Sequence, residues 1–142
     1  MCIVGHNGCG KSSLCRAISK TTEEYTGYIE VNGKNLKDID SGTWYKVISY
    51  CPQDPFVFNV SVYENVAIGD LNAPPEQIQN ILDLFDLSPI ANQHASSTSL
   101  SGGECQKISL ARALLKKSYT TRRKALFLLH TILTVITLFP TL

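Results

Sequence analysis

The sequence predicts an α/β fold with a mainly parallel sheet, on three observations. Short apolar or alternating runs are interleaved with segments of helical periodicity. A glycine-rich loop, GHNGCGKSS at residues 5–13, sits between an apolar run and a helix-like segment. Prolines and an Asn-Gly step fall where one element must give way to the next.

Taken in order, MCIVG reads as a short buried strand, and KSSLCRAISK as a helix that starts inside the glycine loop. GYIEVNGK alternates and ends in Asn32-Gly33, a strand running into a turn. WYKVISYCPQ gives another apolar strand, stopped by Pro52. The pair Pro74-Pro75 opens a helix, PEQIQNILDLFDL. Its Ile78, Ile81, Leu82 and Phe85 recur at helical spacing, so that face packs against something. Pro89 closes the helix, and the polar NQHASSTS follows as a loop. LSGGECQKISLARALLKK then offers a glycine turn and a second helix beginning near Glu104, with Ile108, Leu110, Ala111 and Leu114 on or near one face.

With 142 residues, 44% hydrophobic and 18% charged, the chain has the size and composition of one ordinary globular domain. A net charge of +1 gives no general attraction to nucleic acid, and no nucleic-acid partner is expected. The charge is unevenly placed. Residues 1–104 hold all 12 acidic residues against 6 of the 13 basic ones, so residues 105–142 carry only basic charge. Five scattered cysteines without a C-x-x-C pair argue for reduced thiols in a cytosolic setting rather than a disulfide scaffold or a zinc site. The N-terminus lacks the basic region and long apolar core of a secretory signal.

The loop at residues 5–13 has the form G-x-x-x-x-G-K-S. Successive backbone N–H groups in such a turn converge on an anion, and the helix that follows adds its positive end. Gly5, Gly8 and Gly10 let the main chain curl without Cβ clashes. Lys11 supplies a point charge toward the β and γ phosphates of a nucleotide, and the Ser12 hydroxyl is suited to ligate Mg²⁺. His6 and Cys9 are best read as variable loop residues, although a thiol near a helix start is favoured as thiolate. Phosphate binding by itself leaves kinases, GTPases and many ATPases open.

Two later motifs narrow the choice. Leu100, Ser101, Gly102, Gly103 and Glu104 spell LSGGE, and Gln53 stands in SYCPQDPFVF between the glycine loop and that segment. With the loop they resemble, in order and spacing, the Walker A loop, Q-loop and signature motif of ATP-binding cassette (ABC) ATPases. FNVSVYENVAIGD further resembles the exporter branch of that family. The likeness runs over residues 1–117. It implies a P-loop NTPase (RecA-like) parallel-sheet core with a small helical subdomain, incomplete at both ends. It also implies that ATP and Mg²⁺ are the cofactors, held by Gly5, His6, Asn7, Gly8, Cys9, Gly10, Lys11, Ser12 and Ser13. Ser12 and Gln53 would serve the metal. Residues 100–104 would cap the nucleotide of a second domain in a head-to-tail dimer. The implied partners are that second nucleotide-binding domain and a transmembrane domain, and the implied location is the cytoplasmic face of a membrane.

Within this framework the chain divides into a core at 1–70, a helical insertion at 71–99, the signature and its helix at 100–117, and an atypical tail at 118–142. The tail departs from the family pattern. Family members continue from the signature helix into an apolar strand ending in Asp-Glu, the Walker B pair. Here those positions fall on Lys124 and Ala125, or on His130 and Thr131 if ALFLL is the strand, and no carboxylate follows Glu104. No catalytic residue is therefore assigned, and Glu104 reads as a first-turn helix carboxylate. Losing a water-orienting carboxylate slows a reaction by about 10²–10⁴, or roughly 3–5 kcal/mol of barrier, so nucleotide binding is expected with little or no hydrolysis. The switch histidine of the family lies further on, and its adenine-stacking aromatic lies upstream of residue 1; the ends look like those of a truncated, frame-shifted or alternatively spliced product. The last 18 residues, uncharged behind Arg122, Arg123 and Lys124, resemble a marginal membrane anchor, but threonines, a histidine and a proline weaken that reading. Their β-branched content favours strand, so a β-hairpin-like filler or a disordered, sticky end is expected instead. A non-catalytic half-site module that lends its LSGGE to a complete partner is the second reading, and a P-loop kinase the third.

Overall fold

The computed structural model describes residues 3–95, 99–118, 126–129 and 134–137, the last two segments as backbone strands. The described residues fall into two compact units. One lies within Met1–Tyr50 and Arg123–Leu142, the other within Cys51–Arg122.

In the first unit, helix α1 (Lys11–Ile18) leaves the glycine loop and buries Cys15 and Ala17. Strands β1 (Glu30–Val31) and β2 (Lys34–Asn35) form a two-residue antiparallel hairpin. Its turn residues Asn32 and Gly33 have φ of 50° and 78°, the mirror-image turn that Asn-Gly favours. A single 3₁₀ turn, Leu36–Asp38, leads to the short helix α2 (Ser41–Tyr45), whose N-cap Asp40 accepts a 2.8 Å hydrogen bond from the Thr43 N–H. That cap makes Trp44 and Tyr45 helical where the apolar run predicts strand; β3 is confined to Ile48–Cys51. Trp44 is buried and donates its indole N–H to the Ile18 carbonyl at 2.8 Å, so α2 is fixed against the end of α1. Cys15, Leu36, Trp44 and Ile48 form the core of this unit.

The segment before the glycine loop differs from expectation. Ile3 is half-buried and Val4 85% exposed, and neither lies in a strand. An apolar run becomes a strand only where neighbouring chains take up its backbone groups, and sequence alone does not supply that partner. β3 lies in a three-stranded sheet of order β3-β4-β5, with β4 at Leu126–Leu129 and β5 at Thr134–Thr137. β4 and β5 pair antiparallel, from Leu126 opposite Thr137 to Leu129 opposite Thr134. Parallel strands need a crossover of about a dozen residues or more. The two pairs of known register, β1–β2 and β4–β5, are joined by connections far shorter than that and run antiparallel. Within ALFLL, Leu126–Leu129 form a strand. Among the described residues no helix is long and apolar enough to cross a membrane; Arg122, Arg123 and Lys124 lie outside them.

The second unit is helical: α3 (Val62–Ala67), α4 (Pro75–Leu84), a 3₁₀ turn at Ser88–Ile90, and α5 (Gly102–Ser118). Val62, Val66, Ile78, Ile81, Leu82, Leu87, Ile108, Ala111 and Leu115 belong to one core, with Phe85 and Leu114 packed against it; Leu110, expected on the α5 stripe, is not part of it, and Leu115 is. A fully buried Leu such as Leu82 contributes about 1.5–3 kcal/mol by its removal from water. Helix α4 opens on Pro75, as predicted, but Pro89 does not end it. Asp86 does, in the left-handed region at φ 55°, with Leu87 N–H donating to the Leu82 carbonyl at 2.8 Å and Asp86 N–H to Asp83 at 3.1 Å. This paired closure brings Leu87 onto Leu82, and both are fully buried.

Candidate functional site

The glycine loop and α1 form one structure. Gly10 is the N-cap of α1 at φ 92°, and Gly8 has φ 82°. A Cβ at either position would meet nothing within 4 Å, so backbone conformation rather than space demands glycine there. At Gly5 the reason is reversed: a Cβ would lie 2.5 Å from the Cys9 sulfur. The loop tightens through the Cys9 N–H to His6 carbonyl contact of 3.4 Å. Lys11 folds its ammonium back inside, donating to the carbonyls of Gly5 at 2.9 Å and His6 at 2.8 Å, with the Cys9 sulfur 3.9 Å away. No side chain caps α1, and its first turn holds no acid. Its leading N–H groups and positive end are therefore left for an external anion, with a cation already at the centre of the loop. Asn7, Ser12 and Ser13 are exposed on the same segment.

The segment 100–104 is a helix start of the opposite kind. Leu100 is buried in the helical core, and Ser101 precedes the first turn of α5. The Ser101 N–H and hydroxyl both donate to the Glu104 carboxylate at 2.7 Å, and the Glu104 N–H donates to the Ser101 hydroxyl at 3.3 Å. This reciprocal capping box starts the helix at Gly102, two residues before the position expected from sequence. The Ser101 hydrogen bonds hold the Glu104 carboxyl below the usual glutamate range. An equivalent box, Ser61 with Glu64, starts α3. Gly102 and Gly103 are exposed and crowd nothing.

Gln53 stands in an exposed bend after β3. The structure thus gathers residues 5–13 into one loop and 100–104 into one turn, and sets Gln53 on its own segment. Cys9, Cys15, Cys51 and Cys105 are free thiols, and burial pushes those of Cys15 and Cys51 up. No group of three or more His, Cys, Asp or Glu side chains suited to a metal occurs among the described residues. Ser12, an exposed hydroxyl beside the cradle, matches a metal whose remaining ligands come from phosphate oxygens and water. The positions of a Walker B pair, 124–125 or 130–131, lie outside the described residues. Sequence reading misses Asn65 and Arg112, fully and partly buried polar residues 47 positions apart that hydrogen-bond each other. Only the polar Asn65 inside an apolar helical face hints at them.

A glycine-rich turn with an inward lysine, followed by an uncapped helix, defines a phosphate-binding domain of the P-loop NTPase class. A family model described as ABC transporter matches residues 1–120, and the chain belongs to that family as part of its ATP-binding domain. It is 31% identical over 125 residues to the mitochondrial iron-sulfur clusters transporter ATM1 of Saccharomyces cerevisiae, covering 82% of this chain and 18% of that protein. It is 33% identical over 123 residues to the lactococcin-A transport/processing ATP-binding protein LcnC of Lactococcus lactis, covering 80% and 17%. A third relative is ABC transporter B family member 28 of Arabidopsis thaliana, 32% identical over 131 residues, covering 82% and 18%. The chain therefore spans less than a fifth of the length of these relatives.

Proposed function

We propose that this chain binds ATP in the loop Gly5–Ser13 and serves an exporter-like transporter at the cytoplasmic face of a membrane. The observation that carries the reading is the Lys11 ammonium, held within hydrogen-bonding distance of two loop carbonyls at the foot of an uncapped helix. Lys11 binds the β and γ phosphates, and the N–H groups of Gly8 through Ser13 orient them. Ser12 and Gln53 are the protein ligands of Mg²⁺. Bound Mg²⁺ would supply charge neutralisation at the phosphate oxygens. Leu100–Glu104 faces the nucleotide of a second domain, in a head-to-tail pair that works with a transmembrane domain.

Because no acid follows Glu104 in the sequence, this chain has no carboxylate to orient water at the position the family uses, and turnover is slight or absent. The same observation favours a second reading, in which the chain is a non-catalytic half-site that lends Ser101–Glu104 to a complete partner. Calorimetric titration with Mg·ATP tests the first reading: saturable binding that Lys11→Ala weakens at least tenfold supports it, and equal binding by both proteins contradicts it. Hydrolysis by an equimolar mixture with a complete ABC domain tests the second. Activity that Ser101→Arg in this chain removes supports it, and activity indifferent to that change contradicts it.

A further inference from the structure

Gln53 lies on a stretch tied to α5 at both of its flanks. On one side, the buried Cys51 thiol donates to the Ser109 hydroxyl at 3.1 Å. On the other, Arg112, one turn further along α5, uses all three guanidinium nitrogens. Nε donates to the Asn65 carbonyl at 3.0 Å, one Nη to the Phe56 carbonyl at 3.2 Å, and the other to the Asn65 side-chain oxygen at 2.9 Å. The guanidinium also lies 5.2 Å from the centre of the Phe58 ring. Asn65 is fully buried and completes the tie: its amide nitrogen donates to the carbonyls of Phe58, Val60 and Ser61, and its oxygen accepts from the Phe58 N–H. Gly69 lets the chain lie directly on α5, since a Cβ there would come within 2.3 Å of the Arg112 carbonyl oxygen.

Such a fork differs from ordinary packing. A planar guanidinium with three fixed acceptors sets orientation as well as distance, which an apolar contact does not. Five of the groups that Arg112 and Asn65 hold are main-chain groups of residues 56–61, a run of chain outside regular helix and strand. Without Arg112 the Phe56 carbonyl loses its partner and the Asn65 oxygen keeps only the Phe58 N–H, so the segment carrying Gln53 loses its guanidinium tie to α5 and keeps its Cys51 anchor there. We propose that Arg112 is a positioning residue for Gln53: through Phe56 and Asn65 it sets where the Gln53 segment stands on the signature helix. It does so without contacting nucleotide. The role rests on the assignment of Gln53 to the Mg²⁺ that accompanies ATP.

The test is a double-mutant cycle on the full chain, reading ATP affinity with Mg²⁺ and with EDTA. Gln53→Ala lowers the Mg²⁺-dependent gain in affinity. Arg112→Ala lowers the same gain about three- to tenfold, within the range of coupled residues, while affinity in EDTA, set by the glycine loop, stays within about twofold. The double variant falls no further than Gln53→Ala alone. Arg112→Lys, which keeps the charge and loses the fork, gives an intermediate gain and stands in if the alanine variant does not fold. Two results overturn the proposal: an unchanged Mg²⁺-dependent gain in both Arg112 variants, or effects of Gln53→Ala and Arg112→Ala that multiply. If Gln53→Ala itself is silent, the assignment of Gln53 fails first and the role of Arg112 with it.

Discussion

Helices α1 and α5 begin on the two glycine-rich motifs of this chain, and they begin in opposite ways. Helix α1 starts on Gly10 with no side-chain cap and no acid in its first turn, and a lysine points into the loop before it. Helix α5 starts on Ser101, and Glu104 already satisfies the hydroxyl and N–H of that residue. A helix N-terminus is an anion site only to the extent that its own sequence leaves it unsatisfied. By that criterion the first motif is ready for phosphate within this chain, and the second is closed on itself until something else competes for Ser101.

The largest expected effect breaks the open site. Lys11→Ala removes a charge-assisted contact of about 1.5–3 kcal/mol and lowers ATP affinity at least tenfold by calorimetry. Gly10→Ala comes next. An L-residue at φ 92° is strained by roughly 1–2 kcal/mol, so the variant unfolds at lower denaturant concentration and binds ATP more weakly. At the closed site Ser101→Ala removes the cap of α5 and lowers stability by about 1 kcal/mol in the same measurement. Gly102→Ala has the opposite sign. Its Cβ meets nothing within 4 Å and its backbone is helical, so alanine stabilises by roughly 0.5–1 kcal/mol.

The smallest effect is on pH dependence. Ser101 and Ser61 hold the carboxyls of Glu104 and Glu64 below the ordinary glutamate value of 4.5. A depressed folded-state value means stability that is present above 4.5 and fades as pH falls through the lower, folded-state value. The acid limb of a stability curve below pH 4.5 therefore flattens in a Glu64→Gln, Glu104→Gln double variant, while the slope of the curve near neutrality stays the same.

What could be read from sequence divides along the same line. Both glycine motifs, the Pro75 helix start, the Asn32-Gly33 turn and the facing apolar stripes of α4 and α5 were legible, because each is set by neighbours within a few residues. The Ser101–Glu104 box is also in plain view as S-x-x-E, and it starts the helix at Gly102, two residues ahead of the start expected near Glu104. Three features were not legible. The strand expected over MCIVG, residues 1–5, depends on pairing partners from elsewhere in the chain. Trp44 was drawn into a helix by Asp40 and by its hydrogen bond to Ile18, 26 residues away. The tie from Arg112 to Asn65 and Phe56 joins positions 47 and 56 residues apart, beyond the reach of any local pattern. For the candidate site, the loop was legible entire, and the residues that position Gln53 were not.

Backbone hydrogen exchange with and without Mg·ATP, at protein concentrations where the chain is monomeric, tests the contrast between the two helix starts most directly. The account predicts slowed exchange at residues 10–13, the uncapped start of α1, and no change at residues 101–104. Protection confined to residues 101–104, or equal at both segments, would contradict it.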